Sequence, residues 1–234
     1  QTETPGGEPQ DTHAYGISAR HDSERTRLRI GYTEVAPNFT PEVGFLAREG
    51  YRQMSASVFT FFRPDNSHGI HEFRPHVNHT TTLDFTTGLH ESQRTHVDNH
   101  IEWTNGYEIR TGMNITREGV FEPFPISPNV TVPAGRYDHQ EAQIGFNTNQ
   151  GSPVSFEMRT YIGGFFGGNR TELRPSLSVR TGETLSAQVE WGYNDIRLPG
   201  GNFVTNLGRI RISYSFSTRM FVQALVQYND LADL

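Results

Sequence analysis

The stretch from Arg209 to Asp230, RIRISYSFSTRMFVQALVQYND, leaves a chain of this kind very few ways to fold. In its first half Ile210, Ile212, Tyr214 and Phe216 occupy one side of a two-residue period, and Arg209, Arg211, Ser213 and Ser215 occupy the other. In its second half Val222, Ala224, Val226 and Tyr228 alternate with Gln223 and Gln227, so that only Ser217 to Arg219 remain to make a turn. A period of two on both sides of so short a link specifies a β-hairpin. Two arginines and two serines make one face wet, and the apolar face must then be covered by protein or by lipid.

The same pattern recurs upstream. Leu28, Ile30 and Tyr32 oppose Arg27, Arg29 and Thr33, and residues 51–62, 70–85, 91–103, 107–117, 137–148, 153–164, 170–180 and 184–195 alternate likewise. The count is about eleven strands of roughly 10 to 16 residues, longer than the usual five or six of soluble sheets. Pro75, inside the 70–85 run, points to an edge or a bulge there. Residues 1–23 read as linker or frayed edge, apart from a short strand around Tyr15 to Ala19, and 24–234 as one β-barrel domain. RPDNSHG (63–69) is a turn by composition, and Asn105-Gly106 is a strong hairpin signal. In the C-terminal half STR, TGE, NQGS and NG are short connections, whereas IRLPGGN, FFGGN and the four-proline segment 118–135 are longer. Alternating short and long connections belong to an up-and-down antiparallel meander whose two ends face different surroundings.

Composition decides between disorder and a two-faced sheet. Hydrophobic residues are only 34% of the 234, and mean hydropathy is −0.60, yet 12% of residues are aromatic and 23 are Gly. Disordered chains are poor in aromatic and β-branched residues, so the polarity belongs to one face of a folded sheet. The net charge of −6 comes from 26 acids and 20 bases, every base is Arg, and none is clustered, which argues against a nucleic-acid partner. With no cysteine there is neither a disulfide framework nor a thiolate metal site. No run approaches the roughly 18 apolar residues of a membrane helix. An opening of QTETPGGEPQ without Met reads as a mature or internal fragment.

Two architectures fit: an all-β antiparallel meander forming part of a transmembrane β-barrel, or a soluble all-β sandwich such as a carbohydrate-binding domain. Long strands and aromatics near strand ends (Trp103, Tyr107, Trp191, Tyr193, Phe203, Phe216, Tyr228) favour the barrel, where they would form an interface girdle. At VGFLAREGYRQ (Val43 to Gln53) and FVQALVQYND (Phe221 to Asp230) the chain resembles an uncharacterised bacterial family. Its members pair an N-terminal module similar to family-nine carbohydrate-binding domains with a C-terminal outer-membrane β-barrel. The resemblance implies a bacterial outer-membrane location, a lipid bilayer as partner, a barrel continued by strands or a periplasmic or surface module outside this chain, and no established activity. The sugar-binding-like module has no counterpart here, and family members continue past the QYN segment into a further strand.

In a barrel the polar rows face the lumen. Arg27, Arg29, Glu108, Arg110, Glu141, Glu157, Arg159, Glu172, Arg174, Glu190, Arg209 and Arg211 are expected to line it as a cross-strand charge lattice, open to a carbohydrate or small polar solute. His96, Asp98, His100 and Glu102 alternate on one strand face and are the candidate metal ligands. Neighbours at that spacing lie about 7 Å apart by strand rise, so one ion needs help from an adjacent strand, where His76 and Asp84 lie. No catalytic residue is assigned: no two glutamates are fixed at a glycosidase separation, and no G-x-S-x-G elbow is present. No cofactor is expected.

Overall fold

The computed structural model describes residues 11–65 and 68–230. Residues 1–10 of the expected linker, 66–67 of the expected RPDNSHG turn, and 231–234 lie outside these. Among the described residues fourteen strands follow one another: β1 (Ala14–Asp22), β2 (Thr26–Val35), β3 (Tyr51–Thr60), β4 (Ile70–Asp84), β5 (His90–Trp103), β6 (Glu108–Val120), β7 (Phe124–Ser127), β8 (Val130–Val132), β9 (Gly135–Asn147), β10 (Val154–Phe165), β11 (Gly168–Thr181), β12 (Leu185–Leu198), β13 (Gly201–Ser217) and β14 (Met220–Asn229). Twelve of them form one antiparallel sheet in sequence order, and β7 and β8 pair separately. The protein is thus the all-β meander that the alternation specifies. Among the described residues no ladder joins β1 to β14, which are the edges of an open sheet.

Register turns the alternation into two faces, because directly opposed residues share a side. One row runs Phe59, His76, Asp98, Gly112, Gln143, Tyr161, Glu172, Asn194 and Thr205 across nine strands. The other face carries Ile30, Val58, Met113, Ile144, Val189, Ile210, Ile212 and Val226, all exposed. Burial is therefore inverted: Asn114 and Glu172, at 1% and 2% exposure, are more enclosed than nearly every aliphatic residue of the sheet.

The core is small and lies at one end. Val130 and Val132 of β8 meet Ile196 and Leu198 of β12, with Val120, Ile126, Tyr137, Phe165, Phe166 and Phe203 packed around them. Ile196 opposes Phe203 in the β12–β13 ladder, four residues beyond the Gly192–Leu207 pair and on the side that bears Glu190 and Arg209. The polar face thus turns apolar at this end, and the β7–β8 hairpin lies across it as a cap. Fully burying a valine or leucine is worth about 1.5–3 kcal/mol, enough to hold so short a hairpin in place.

Several expectations are corrected. FFGGN and IRLPGGN are not longer loops: the strands run into them, leaving two-residue turns at Phe166–Gly167 and Pro199–Gly200. Phe166 and Gly167 both take positive φ (42° and 79°), the backbone of a type I′ hairpin turn. That conformation is unfavourable for phenylalanine, and the ring is held against Phe124, Tyr137 and Phe165. Phe203 belongs to the cap, not to a girdle on the apolar face. The 118–135 break contains β7 and β8, and Ala14–Asp22 forms a full strand paired along its length with β2, where only a short one was expected. Thr26–Val35 is paired on both sides, with β1 and β3. Pro75 lies in an interior strand, at the point where the β3–β4 ladder lapses between Phe59–His76 and the Phe62–Phe73 bridge.

Replacing Val132, 1% exposed, by Asp would set a carboxylate among Ile196, Leu198 and Val130. Such burial costs several kcal/mol, so the hairpin is expected to detach. A broad-specificity protease should then cut between residues 122 and 133 at least about ten times faster, while the far-UV signature of the sheet is retained.

Candidate functional site

The polar face is organised by ion pairs that run across strands. Glu72 at the start of β4 binds Arg63 (2.6 Å) and Arg74 (3.3 Å). Arg74 reaches over β5 to Glu108 (2.9 Å), and Arg110 connects Glu108 (3.9 Å) to Glu157 (3.2 Å), which also holds Arg159 (2.8 Å). Asn147 closes a gap by accepting from Arg110 and donating to Glu108. Seven charges of alternating sign thus cross from the β3–β4 connection to β10. A second group lies further along: Arg170 bonds Glu141 (2.7 Å) and approaches Glu172 (3.5 Å), which Arg174 also contacts.

Between the belt and the cap lies a histidine cluster. Opposed register sets His76 of β4 against Asp98 of β5, and His96 and His100 flank Asp98 on its own strand. The Nε2 atoms of His96 and His100 are each 3.4 Å from Asp98 Oδ2. His96 Nδ1 is 2.8 Å from Asn114 Oδ1, His100 Nδ1 is 2.6 Å from Glu108 Oε1, and His76 Nδ1 is 3.3 Å from the Arg74 carbonyl. Phe59 stacks on His76 with centroids 4.5 Å apart. Gly112 makes the room: a Cβ there would lie 2.9 Å from both Asp98 Cγ and the Val97 carbonyl.

The twelve residues expected to line a lumen all project to this face, with unequal surroundings. Glu108, Arg110, Glu157 and Arg159 belong to the belt, and Glu141, Glu172 and Arg174 to the Arg170 group. Arg209 pairs with Glu190 (2.7 Å), and Arg27 with Asp22 rather than with a glutamate. Arg29 opposes Arg20, and Arg211 lies between Gln188 and Leu225; neither has an acid within 4 Å among the described residues. Of the expected metal set, His96, Asp98 and His100 come together. Glu102 does not: it sits between Glu72 and Glu108 in the register, while the ligand atoms of His76, His96 and Asp98 fall within 4.8 Å of one another. Arg63, Glu72, Arg74, Asn114 and Arg170 were missed as partners, since only cross-strand register reveals them.

Past the last strand, the backbone amide of Asn206 donates to Asp230 Oδ1 and its side-chain amide to Oδ2, which holds the Asp230 carboxyl below the usual carboxylate range. Trp191 Nε1 donates to the same asparagine on the apolar face.

No family model and no curated protein matches the chain. Among solved structures it is similar to OmpT (in-vitro folded), an outer membrane protein of Vibrio cholerae, at 8% identity and a TM-score of 0.43, over 93% of this chain and 84% of that one. No family model bears on the resemblance at residues 43–53 and 221–230, and no comparison supports a sugar-binding-like module.

The belt and the Arg209–Glu190 pair should differ in worth. Glu108 serves Arg74, Arg110, His100 and Asn147 in a partly enclosed setting, so Glu108→Gln is expected to lower unfolding free energy by about 1–3 kcal/mol. Glu190→Gln, whose arginine partner is 41% exposed, should cost less than about 1 kcal/mol. Urea titrations followed by Trp103 and Trp191 fluorescence give both differences.

Proposed function

We propose that this chain forms the wall of a bacterial outer-membrane β-barrel whose polar face lines a passage for small polar solutes, with the β7–β8 hairpin as its constriction. The observation that carries the reading is the inversion of burial. The apolar side chains of strand after strand, from Ile17 and Ile30 through Ile144 and Val189 to Val226, are exposed, while the residues enclosed on the opposite face include Glu72, Asp98, Asn114, Glu141 and Glu172. Soluble monomers rarely expose contiguous apolar patches beyond a few hundred Å², whereas a bilayer solvates such a face directly. Strands of 10 to 17 residues from β2 onward, β7 and β8 apart, match the roughly 9–11 needed by a tilted membrane strand, with length to spare.

Open edges leave backbone donors and acceptors unsatisfied in lipid. The reading therefore requires β1 and β14 to be joined, to each other or to strands beyond this chain. Arg27, Arg29, Glu108, Arg110, Glu141, Glu157, Arg159, Glu172, Arg174, Glu190, Arg209 and Arg211 are then the lining, and Arg29 and Arg211, which meet no acid among the described residues, are the positions best placed to influence ion preference. A barrel that only anchors a surface or periplasmic module needs no passage. The cap's apolar contacts with β12 and β13 suit a constriction better than an open tube.

The expected results are extraction only with detergent, and steps of conductance in planar bilayers that grow when residues 122–133 are replaced by a short glycine-serine link. A detergent-free aqueous monomer would sink the membrane reading in favour of a soluble all-β domain such as a carbohydrate binder. A membrane-inserted protein without conductance, cap present or removed, would point to the anchor.

A further inference from the structure

The arginine ion pairs of the polar face leave the surroundings of Asp98 unexplained. Its side chain is 1% exposed, both oxygens are enclosed, and neither accepts a hydrogen bond. A buried carboxylate without donors is costly unless positive charge lies against it. Among the described residues no arginine lies within 4 Å of it; His96 Nε2 and His100 Nε2 each lie 3.4 Å from Oδ2. That is well beyond the 2.7–2.9 Å or so of a charge-assisted hydrogen bond.

The other ring nitrogens explain what those atoms offer. Asn114 Oδ1 accepts from Arg94 Nη2 (2.9 Å) and Nε (3.3 Å), which identifies it as oxygen, so His96 Nδ1 at 2.8 Å must be the donor of that pair. His76 Nδ1 likewise donates to the Arg74 carbonyl. Neutral His96 and His76 then carry their lone pairs on Nε2, and His96 directs its own at a carboxylate oxygen. Two lone pairs 3.4 Å apart repel with nothing between them, but that distance is close to the edge, about 3.3–3.4 Å, of a tetrahedron with metal bonds of about 2.0–2.1 Å. The rings of His76 and His96 have centroids 5.3 Å apart, near the roughly 5 Å that two imidazoles on one such ion adopt.

We propose that His76, His96 and Asp98 bind a divalent first-row transition-metal ion, leaving at least one coordination position to water or to a solute on the polar face. Two imidazoles and one carboxylate suit zinc, iron, copper or nickel rather than calcium or magnesium. The outer contacts have the form metal-ligating histidines need: Asn114 and the Arg74 carbonyl fix the Nδ1 protons, and Phe59 stacks on the His76 ring. Gly112 keeps the carboxylate in the sheet surface. The site depends on strand register alone, and stands whether the apolar face meets lipid or protein.

Metal-stripped protein, in detergent or buffer as its solubility requires, is titrated with ZnCl2 by calorimetry. The expected result is one equivalent bound, with affinity at least 100-fold weaker in His96→Gln and in Asp98→Asn and unchanged in Glu102→Gln. Gly112→Ala, which removes no ligand, should weaken binding at least about ten-fold by displacing Asp98. Flat wild-type titrations overturn the proposal, as do affinities indifferent to His96→Gln and Asp98→Asn. Should those variants fail to fold, electron paramagnetic resonance of wild-type protein loaded with one equivalent of Cu2+ decides. Superhyperfine structure from two imidazole nitrogens supports the site, and a spectrum of aquo copper or of a single imidazole refutes it.

Discussion

Everything in this molecule follows from enclosing polar side chains on one face of a sheet while the apolar face stays outside. An enclosed Glu or Arg must find its counter-charge within the protein, and in an antiparallel meander the partner comes from the next strand or the one after. The chain Arg63, Glu72, Arg74, Glu108, Arg110, Glu157, Arg159 is that requirement met across β4, β6 and β10. Such a network ties register to charge: a slip of one residue would move the whole set to the apolar face.

The meander itself was legible because its signals are local. Period-two alternation, Asn105-Gly106 with Gly106 at φ 81°, and the short link before Met220 each specify a hairpin without reference to the remainder of the chain. The cap was not legible. β7 and β8 have four and three residues, flanked by prolines, and acquire their partners only where β12 and β13 bring Ile196, Leu198 and Phe203 to the same place. FFGGN read as a loop because phenylalanine is a poor residue for positive φ, and only the ring cluster around Phe166 offsets that preference.

The candidate site was half legible for the same reason. His96, Asp98 and His100 announce themselves by spacing on one strand, yet spacing along a strand cannot say which neighbour lies opposite. Register puts His76 across from Asp98 and surrounds Glu102 with Glu72 and Glu108, so one member of the expected set leaves and another enters. Nor could sequence indicate Gly112, whose missing side chain matters only because Asp98 lies over it.

The cap also imposes an order of assembly. The 121–134 segment precedes β10, β12 and β13 in the chain, yet its valines rest on residues that those strands contribute. Until β13 has joined the sheet the hairpin is an apolar tongue with nowhere to dock. Its seating is therefore a late event, a latch that closes only on a correctly ordered sheet, and a strand missing or misregistered between β9 and β13 leaves that tongue exposed to chaperones and proteases.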